Sequence, residues 1–411
     1  MVAPVNFYGY NAAGGDVVML RSLKNLEIQN KRVLVRVDFN VPLKDGKVTN
    51  DTRLRESLPT IQYLIEHGAK VILVSHLGRP DGKIVDALRM NPVAERFALL
   101  LGKPVRTADE CVGSGINTLV SSMKSGEVFL LENVRFYPGE EKNDDNFSRE
   151  LAQLADIYIN DAFGTVHRAH ASTYGVAKLL PSAAGFLLER EVTMLNKATL
   201  NPARPLLVII GGAKIADKIG VMKDFLGKVD QFLVGGGSAF TFLRAKGWMV
   251  GDSIIDEKLV EGVKQFVKDA YVKGADVILP QDFKIAQELK PGVERSFAPA
   301  DKIPSGWMGL DLGPETIRDF RRRIKAAKTV IWSGPLGAFE IPPFDEGTRA
   351  IAQTIVESPN LFAIIGGGDT AAAIEQAGIK DFKNIYVSTG GGATLEFLGG
   401  RTLLPIEILK A

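Results

Sequence analysis

Residues 32–42 read Arg32-Val33-Leu34-Val35-Arg36-Val37-Asp38-Phe39-Asn40-Val41-Pro42. The aliphatic run predicts a buried strand over Arg32–Val37, ended by polar residues and a proline. The same pattern recurs at Val71–Ser75, Val128–Leu131 and Ile157–Asn160 in the first half of the chain. It recurs in the second half at Leu206–Ile210, Gln231–Val234, Val277–Leu279, Val330–Trp332, Phe362–Ile365 and Ile385–Val387. Helical spacing lies between them, at Leu58–His67, Ser148–Leu154, Asp256–Tyr271 and Pro314–Ala326. Strands separated by helices predict an α/β fold with parallel sheets covered on both faces. One helix is expected over Gly185–Leu200, and Asn201-Pro202-Ala203-Arg204-Pro205 then marks a boundary between two halves.

Ligands of such sheets bind at the carboxyl ends of strands. In the first half those ends carry arginine and histidine: Asp38-Phe39-Asn40, then Arg53, then Ser75-His76-Leu77-Gly78-Arg79, Asn133-Val134-Arg135 and Gly164-Thr165-Val166-His167-Arg168-Ala169-His170. A single arginine there is usually a solvated or salt-bridged side chain. Repetition at consecutive strand ends points to a small anion, because the guanidinium fork donates two parallel hydrogen bonds to phosphate or carboxylate. His76 suits either a ligand contact or a packed position, and His167 and His170 are read as orienting loop residues. His67, in Glu66-His67-Gly68, reads as a helix-end cap.

In the second half the strand ends are glycine turns: Gly211-Gly212-Ala213-Lys214, Gly235-Gly236-Gly237, Gly366-Gly367-Gly368-Asp369-Thr370 and Gly390-Gly391-Gly392. Glycine lets backbone approach a phosphate, and a following helix offers unpaired N–H groups. Lys214 and Lys218, four apart, are expected on one helix face, either simply solvated or holding phosphates. Asp369 suits either a helix N-cap or Mg²⁺. There is no Gly-Lys-Ser/Thr P-loop ending. The loose match Gly366-x-Gly368-x-x-Ala371 lacks the acidic residue a dinucleotide site needs.

Composition is ordinary for a soluble globular protein and supports neither nucleic acid nor a membrane as partner. Fifty basic and 48 acidic side chains leave a net charge of +2 over 411 residues. No apolar run approaches the roughly 20 residues of a membrane span. The first twenty residues hold no Lys or Arg, hence no basic leader region, and Cys111 is the only cysteine. A cytoplasmic location is expected.

Taken in order, Arg36-Val37-Asp38-Phe39-Asn40-Val41-Pro42, Ser75-His76-Leu77-Gly78-Arg79-Pro80, Leu131-Glu132-Asn133-Val134-Arg135-Phe136, Gly164–His170, Gly211-Gly212-Ala213-Lys214, Gly309-Leu310-Asp311-Leu312-Gly313-Pro314, Gly366–Thr370 and Ser388–Ala393 resemble the phosphoglycerate kinase family. The match runs from about Met19 to the C-terminus. The resemblance implies two Rossmann-like lobes that close on a hinge, in a monomer. It divides the chain into an extension at 1–18, a 3-phosphoglycerate lobe at 19–184, a connecting helix at 185–204, a nucleotide lobe at 205–392 and a returning segment at 393–411.

Carried over by position, Asp38, Phe39, Asn40, Arg53, His76, Leu77, Gly78, Arg79, Arg135 and Arg168 would hold 3-phosphoglycerate or 1,3-bisphosphoglycerate. Lys214, Lys218, Gly237, Gly309, Glu340, Gly367, Gly368, Asp369 and Thr370 would hold ADP or ATP, with Mg²⁺ on Asp369. Arg53, Lys214, Lys218, Gly391 and Gly392 would act on the group in transfer. The chain departs from the family at Ser333, where Asn is usual, in Met1–Val18, which precedes the usual start, and at Leu404-Pro405-Ile406-Glu407, which lacks a Gly after the proline. Met1–Val18 is expected to lack core contacts. The rival readings are a dinucleotide oxidoreductase and a non-catalytic anion- or nucleotide-binding protein.

Overall fold

Aliphatic residues on both sides of the central strands divide each half of the chain into two cores with a sheet between them. In the strand Arg32–Val37, Val33, Val35 and Val37 enter one core and Leu34 the opposite one. In Leu206–Ile210, Val208 and Ile210 face one core, and Leu207 and Ile209 the other. Successive side chains point to opposite faces, so a strand buried on both sides must be apolar throughout. The computed structural model describes residues 18–216, 218–376 and 384–411, the side chain of Asp369 excepted.

The first sheet has six parallel strands in the spatial order Val105–Thr107, Val128–Leu130, Lys70–Val74, Arg32–Val37, Ile157–Asp161, Ser182–Ala184. The second runs Asp276–Ile278, Gln231–Val234, Leu206–Ile210, Thr329–Ser333, Phe362–Gly366, Ile385–Ser388, again all parallel. In both, the first strand lies inside the sheet and later strands are added on either side. The order therefore reverses beside Arg32–Val37 and beside Leu206–Ile210. That leaves a crevice at the carboxyl ends of those strands.

All ten expected strands form, with ends within one or two residues of the expected ones. Val105–Thr107 and Ser182–Ala184 were not expected. At three residues each they are too short to show a period. A separate antiparallel sheet, Arg295–Pro299, Asp282–Ala286 and Met308–Leu312, was also not expected. It puts Gly309 on a strand.

Three local expectations need correction. The first helix spans Thr52–Glu66, so Arg53 lies in its first turn and Pro59 inside it. The bond Pro59 cannot donate would fall on Arg55, which is exposed, where water can replace it. Lys214 and Lys218 do not share a helix face: Lys214 sits in an exposed loop, and Lys218 caps the helix Ile219–Asp224. Residues 1–17 of the extension lie outside the described residues, but Val18 packs against the core of the second half.

The two halves are joined by the helix Phe186–Thr199. Asp161, at the end of its strand, accepts from the Leu187 and Leu188 N–H groups at 2.9 and 3.3 Å and so fixes the start of this helix. The last residues return to the described start. The Arg21 N–H donates to the Leu409 carbonyl at 2.9 Å, and the Arg21 guanidinium donates to Ser182 of the first sheet at 3.1 Å.

Burial pushes the Asp161 carboxyl up to about 7 from an ordinary carboxylate value of 3.8. Because the folded value is the higher one, this group's contribution is full below about pH 4 and is lost as pH rises through 7. Asp161→Asn removes that dependence. Urea unfolding at pH 5 and pH 8 should show wild type losing ground to the variant, at about 1.4 kcal/mol per unit of pKa separation traversed. A stability difference equal at both pH values contradicts it.

Candidate active site

The crevice of the first sheet is lined by Asp38, Asn40, Arg53, His76, Gly78, Arg79, Arg135, Gly164, Thr165, His167 and Arg168. Arg53 reaches from its helix to donate to the Asn40 carbonyl at 2.8 Å and lies 3.3 Å from the Asp38 carboxylate. The Asn40 side chain accepts from the Gly78 N–H at 2.9 Å, tying two strand-end loops together. Arg135 donates to the Gly78 carbonyl at 2.8 Å and pairs with Glu141 at 3.1 Å. Arg168 donates to His167 Nε2 at 3.0 Å. Arg79 stands exposed.

Phe39 and Leu77 do not line this cavity with the rest. The Phe39 ring packs on Phe97 at 4.8 Å, and its N–H donates to Ser75 Oγ at 2.9 Å. The Leu77 side chain is 2% exposed. Gly164, Thr165 and His167 line the cavity although sequence reasoning did not place them in the ligand set. The signal was available, since all three follow a parallel strand directly.

The histidines add no charge near neutrality. Burial and the neighbouring arginines hold His76 well below its ordinary value, while burial first and the arginines second lower His167 and His170 to about 4. The site's positive charge is therefore guanidinium charge, which does not titrate.

The second crevice is a slot walled by Phe240, Phe283, Leu336 and Met308, with Gly237, Gly309 and Glu340 on its lining. Gly212, Gly236 and Pro335 bring backbone to its inner end. There the Gly212 N–H donates to the Pro335 carbonyl at 2.7 Å, and Lys218 Nζ donates to the Gly211 carbonyl at 2.7 Å. A methyl group on Gly211 would stand 2.2 Å from the Pro335 carbonyl oxygen, so the turns close only with glycine. Asp311, pushed up to about 8 by burial, accepts from Leu312 and Gly347 N–H groups and helps fix the slot wall.

Thr370 Oγ1 accepts from the Gly334 N–H at 2.7 Å, which draws the Gly366–Thr370 turn onto the same edge. Gly368 and Gly392 each open a helix, where the first N–H groups have no intrahelical acceptor. Lys214, Lys218, Gly367, Gly368, Thr370, Gly391 and Gly392 surround the edge without lining the slot. The Asp369 side chain lies outside the described residues. Among the described residues no group of three or more His, Cys, Asp or Glu could hold a metal. That donor set fits Mg²⁺ only as an ion carried largely by phosphate oxygens.

The two edges meet. A methyl group on Gly164 would lie 2.3 Å from Asp38 Oδ2 and 3.6 Å from the Thr389 carbonyl; one on Gly390 would lie 2.3 Å from the Phe163 ring. Glu191, on the connecting helix, accepts from the Thr389 N–H and hydroxyl at 2.7 and 2.8 Å. The arginine cavity therefore borders the Gly390–Gly392 turn.

With its histidines neutral, the cavity should bind sulfate with an affinity that stays flat between pH 8 and about pH 6. Titration calorimetry checks this, and a marked rise centred near pH 6.5 contradicts it.

The chain is similar to phosphoglycerate kinases over nearly its whole length. A family model described as phosphoglycerate kinase matches residues 23–401. The phosphoglycerate kinase of Dictyoglomus turgidum is 51% identical over 388 residues, covering 94% of this chain and 98% of the relative. That of Moorella thermoacetica is 51% identical over 382 residues, covering 93% and 97%. Among solved structures, phosphoglycerate kinase from Coxiella burnetii matches with a TM-score of 0.82 at 40% identity, covering 95% of this chain and 99% of that one. The Pyrococcus horikoshii enzyme matches with a TM-score of 0.83 at 31% identity, covering 94% and 98%.

Proposed function

The chain belongs to the phosphoglycerate kinase family, and we propose that its arginine cavity holds 3-phosphoglycerate while its glycine turns hold ADP or ATP. The reaction is the reversible glycolytic transfer of a phosphoryl group from 1,3-bisphosphoglycerate to ADP, giving 3-phosphoglycerate and ATP. The observation that carries the division of labour is the shared border between Gly164, beside Asp38, and the Thr389–Gly390 turn.

In this reading Asp38, Asn40, His76, Arg79, Arg135 and Arg168 fix the phosphoglycerate. Phe39, Leu77 and Gly78 contribute backbone at most. The apolar slot takes the nucleotide base, with Gly237, Gly309 and Glu340 at its lining, and Lys214, Lys218 and the Gly367–Thr370 turn take the phosphates. No general base is needed, because a carboxylate and a nucleotide phosphate are ionised at neutral pH. The protein's work is orientation and charge stabilisation. Arg53, Lys218 and the N–H groups of Gly391 and Gly392 meet the equatorial oxygens in transfer, with Lys214 beside them. Asp369 would hold Mg²⁺, which would neutralise developing phosphate charge when bound.

The ligands lie on different sheets, so transfer requires the halves to close about the connecting helix. The units are a phosphoglycerate lobe at 19–184, a hinge helix at 185–204, a nucleotide lobe at 205–392 and a returning segment at 393–411. The working form is a cytoplasmic monomer that engages neither nucleic acid nor membrane.

A coupled assay with 3-phosphoglycerate and MgATP tests this, with each substrate omitted in turn. Turnover should require both, and Arg53→Ala or Lys218→Ala should lower kcat by about 10²-fold or more. Near-normal kcat in either variant removes that residue from the charge-stabilising role. No turnover with folded protein contradicts the reading as a whole.

A further inference from the structure

Arg36 is the one charged residue within the strand that opens the first sheet after its initial Arg32, and it is 1% exposed. It does not line the cavity. It lies on the same strand face as Leu34, in the core that also holds Tyr158. There its Nε–H donates to Ser172 Oγ at 2.7 Å. Ser172 in turn donates its hydroxyl to Glu140 Oε1 at 2.6 Å and its N–H to Glu140 Oε2 at 2.9 Å. Glu140 is 0% exposed. On the other side of the guanidinium, Arg36 lies 3.2 Å from His76 Nδ1.

The chemistry of these groups gives the chain one direction. Guanidinium nitrogens only donate, so Ser172 Oγ must accept from Arg36 and send its own proton to Glu140. For the same reason His76 Nδ1 must accept from Arg36, and a neutral imidazole that accepts at Nδ1 carries its proton on Nε2. His76 Nε2 has no protein partner among the described residues, and His76 lines the cavity. The carboxylate at the far end compensates the buried guanidinium charge. A buried network in which each guanidinium nitrogen has a partner favours one arrangement.

We propose that Arg36 is a positioning residue for phosphoglycerate binding: the chain Glu140–Ser172–Arg36 fixes the ring of His76 as the Nε2–H tautomer, a neutral donor aimed at an anionic oxygen of the substrate. This rests on the assignment of the arginine cavity to 3-phosphoglycerate. The low proton affinity of His76, from burial and from Arg36 beside it, agrees with a ring held neutral. A protonated ring would lose the Arg36 contact, since both nitrogens would then donate.

Ring ¹H–¹⁵N correlation spectra of the full-length protein, labelled on histidine nitrogen, test the proposal at neutral pH. In wild type, His76 should show the Nε2–H tautomer; an Nδ1–H tautomer or an imidazolium there overturns the relay without any variant having to fold. Ser172→Ala unlinks Arg36 from Glu140. It should mix the tautomers of His76 and weaken 3-phosphoglycerate binding by about tenfold, leaving ADP affinity unchanged. An unaltered tautomer and affinity in folded Ser172→Ala also overturn the relay. Addition of 3-phosphoglycerate to wild type should shift the Nε2 resonance. An unmoved resonance overturns the placement of substrate at His76, an outcome separate from the tautomer.

Discussion

Arg53, Arg79, Arg135 and Arg168 share one cavity, and like charges brought together repel. Much of the first half of the chain can be understood as the means of holding them there. The Asn40 and Gly78 carbonyls accept from Arg53 and Arg135, Asp38 and Glu141 pair with the same two, and His167 accepts from Arg168. These partners satisfy only part of each fork. In the proposed reading, the phosphate and carboxylate of 3-phosphoglycerate meet the residual positive field. The histidines stay neutral first because they are buried, and the neighbouring arginines add to that.

In the proposed reading the second half takes the nucleotide, a different problem met with the same sheet plan. A nucleotide base needs apolar walls, and its phosphates need donors free of side-chain obstruction. The walls come partly from a small antiparallel sheet that carries Phe283, Met308 and Gly309. The donors come from glycine turns, where Gly211 lies so close to Pro335 that no side chain fits. Parallel topology then brings both functional edges to strand carboxyl ends, and the contacts of Gly164 and Gly390 across the border bring the edges together.

The central strands were legible because a strand buried on both faces must be aliphatic along its length, and the chain contains few other such runs. The arginine and glycine strand ends were legible for a related reason: polar residues at the end of such a run have a restricted place in the fold. Val105–Thr107 and Ser182–Ala184 were not, since three residues show no period and their pairing is set by neighbours distant in sequence. The Lys214 and Lys218 spacing suggested a helix face, but the chain uses those residues to leave the glycine turn before its helix begins. Phe39 and Leu77 were read by motif as site residues, and alternation along the backbone turned both side chains inward. Arg36 was visible as part of a motif, while its partners Ser172 and Glu140 lie more than 100 residues away, out of reach of local reading.

The central claim is that a phosphoryl group passes between the arginine edge and the glycine edge. It is tested most directly by a crystal structure with 3-phosphoglycerate, MgADP and a planar mimic of the group in transfer. The account predicts phosphoglycerate among Asp38, His76, Arg135 and Arg168, nucleotide in the apolar slot, and the mimic between Arg53 and Lys218 with the halves closed. Phosphoglycerate bound outside the arginine cavity, or a mimic touching neither Arg53 nor Lys218, would contradict it.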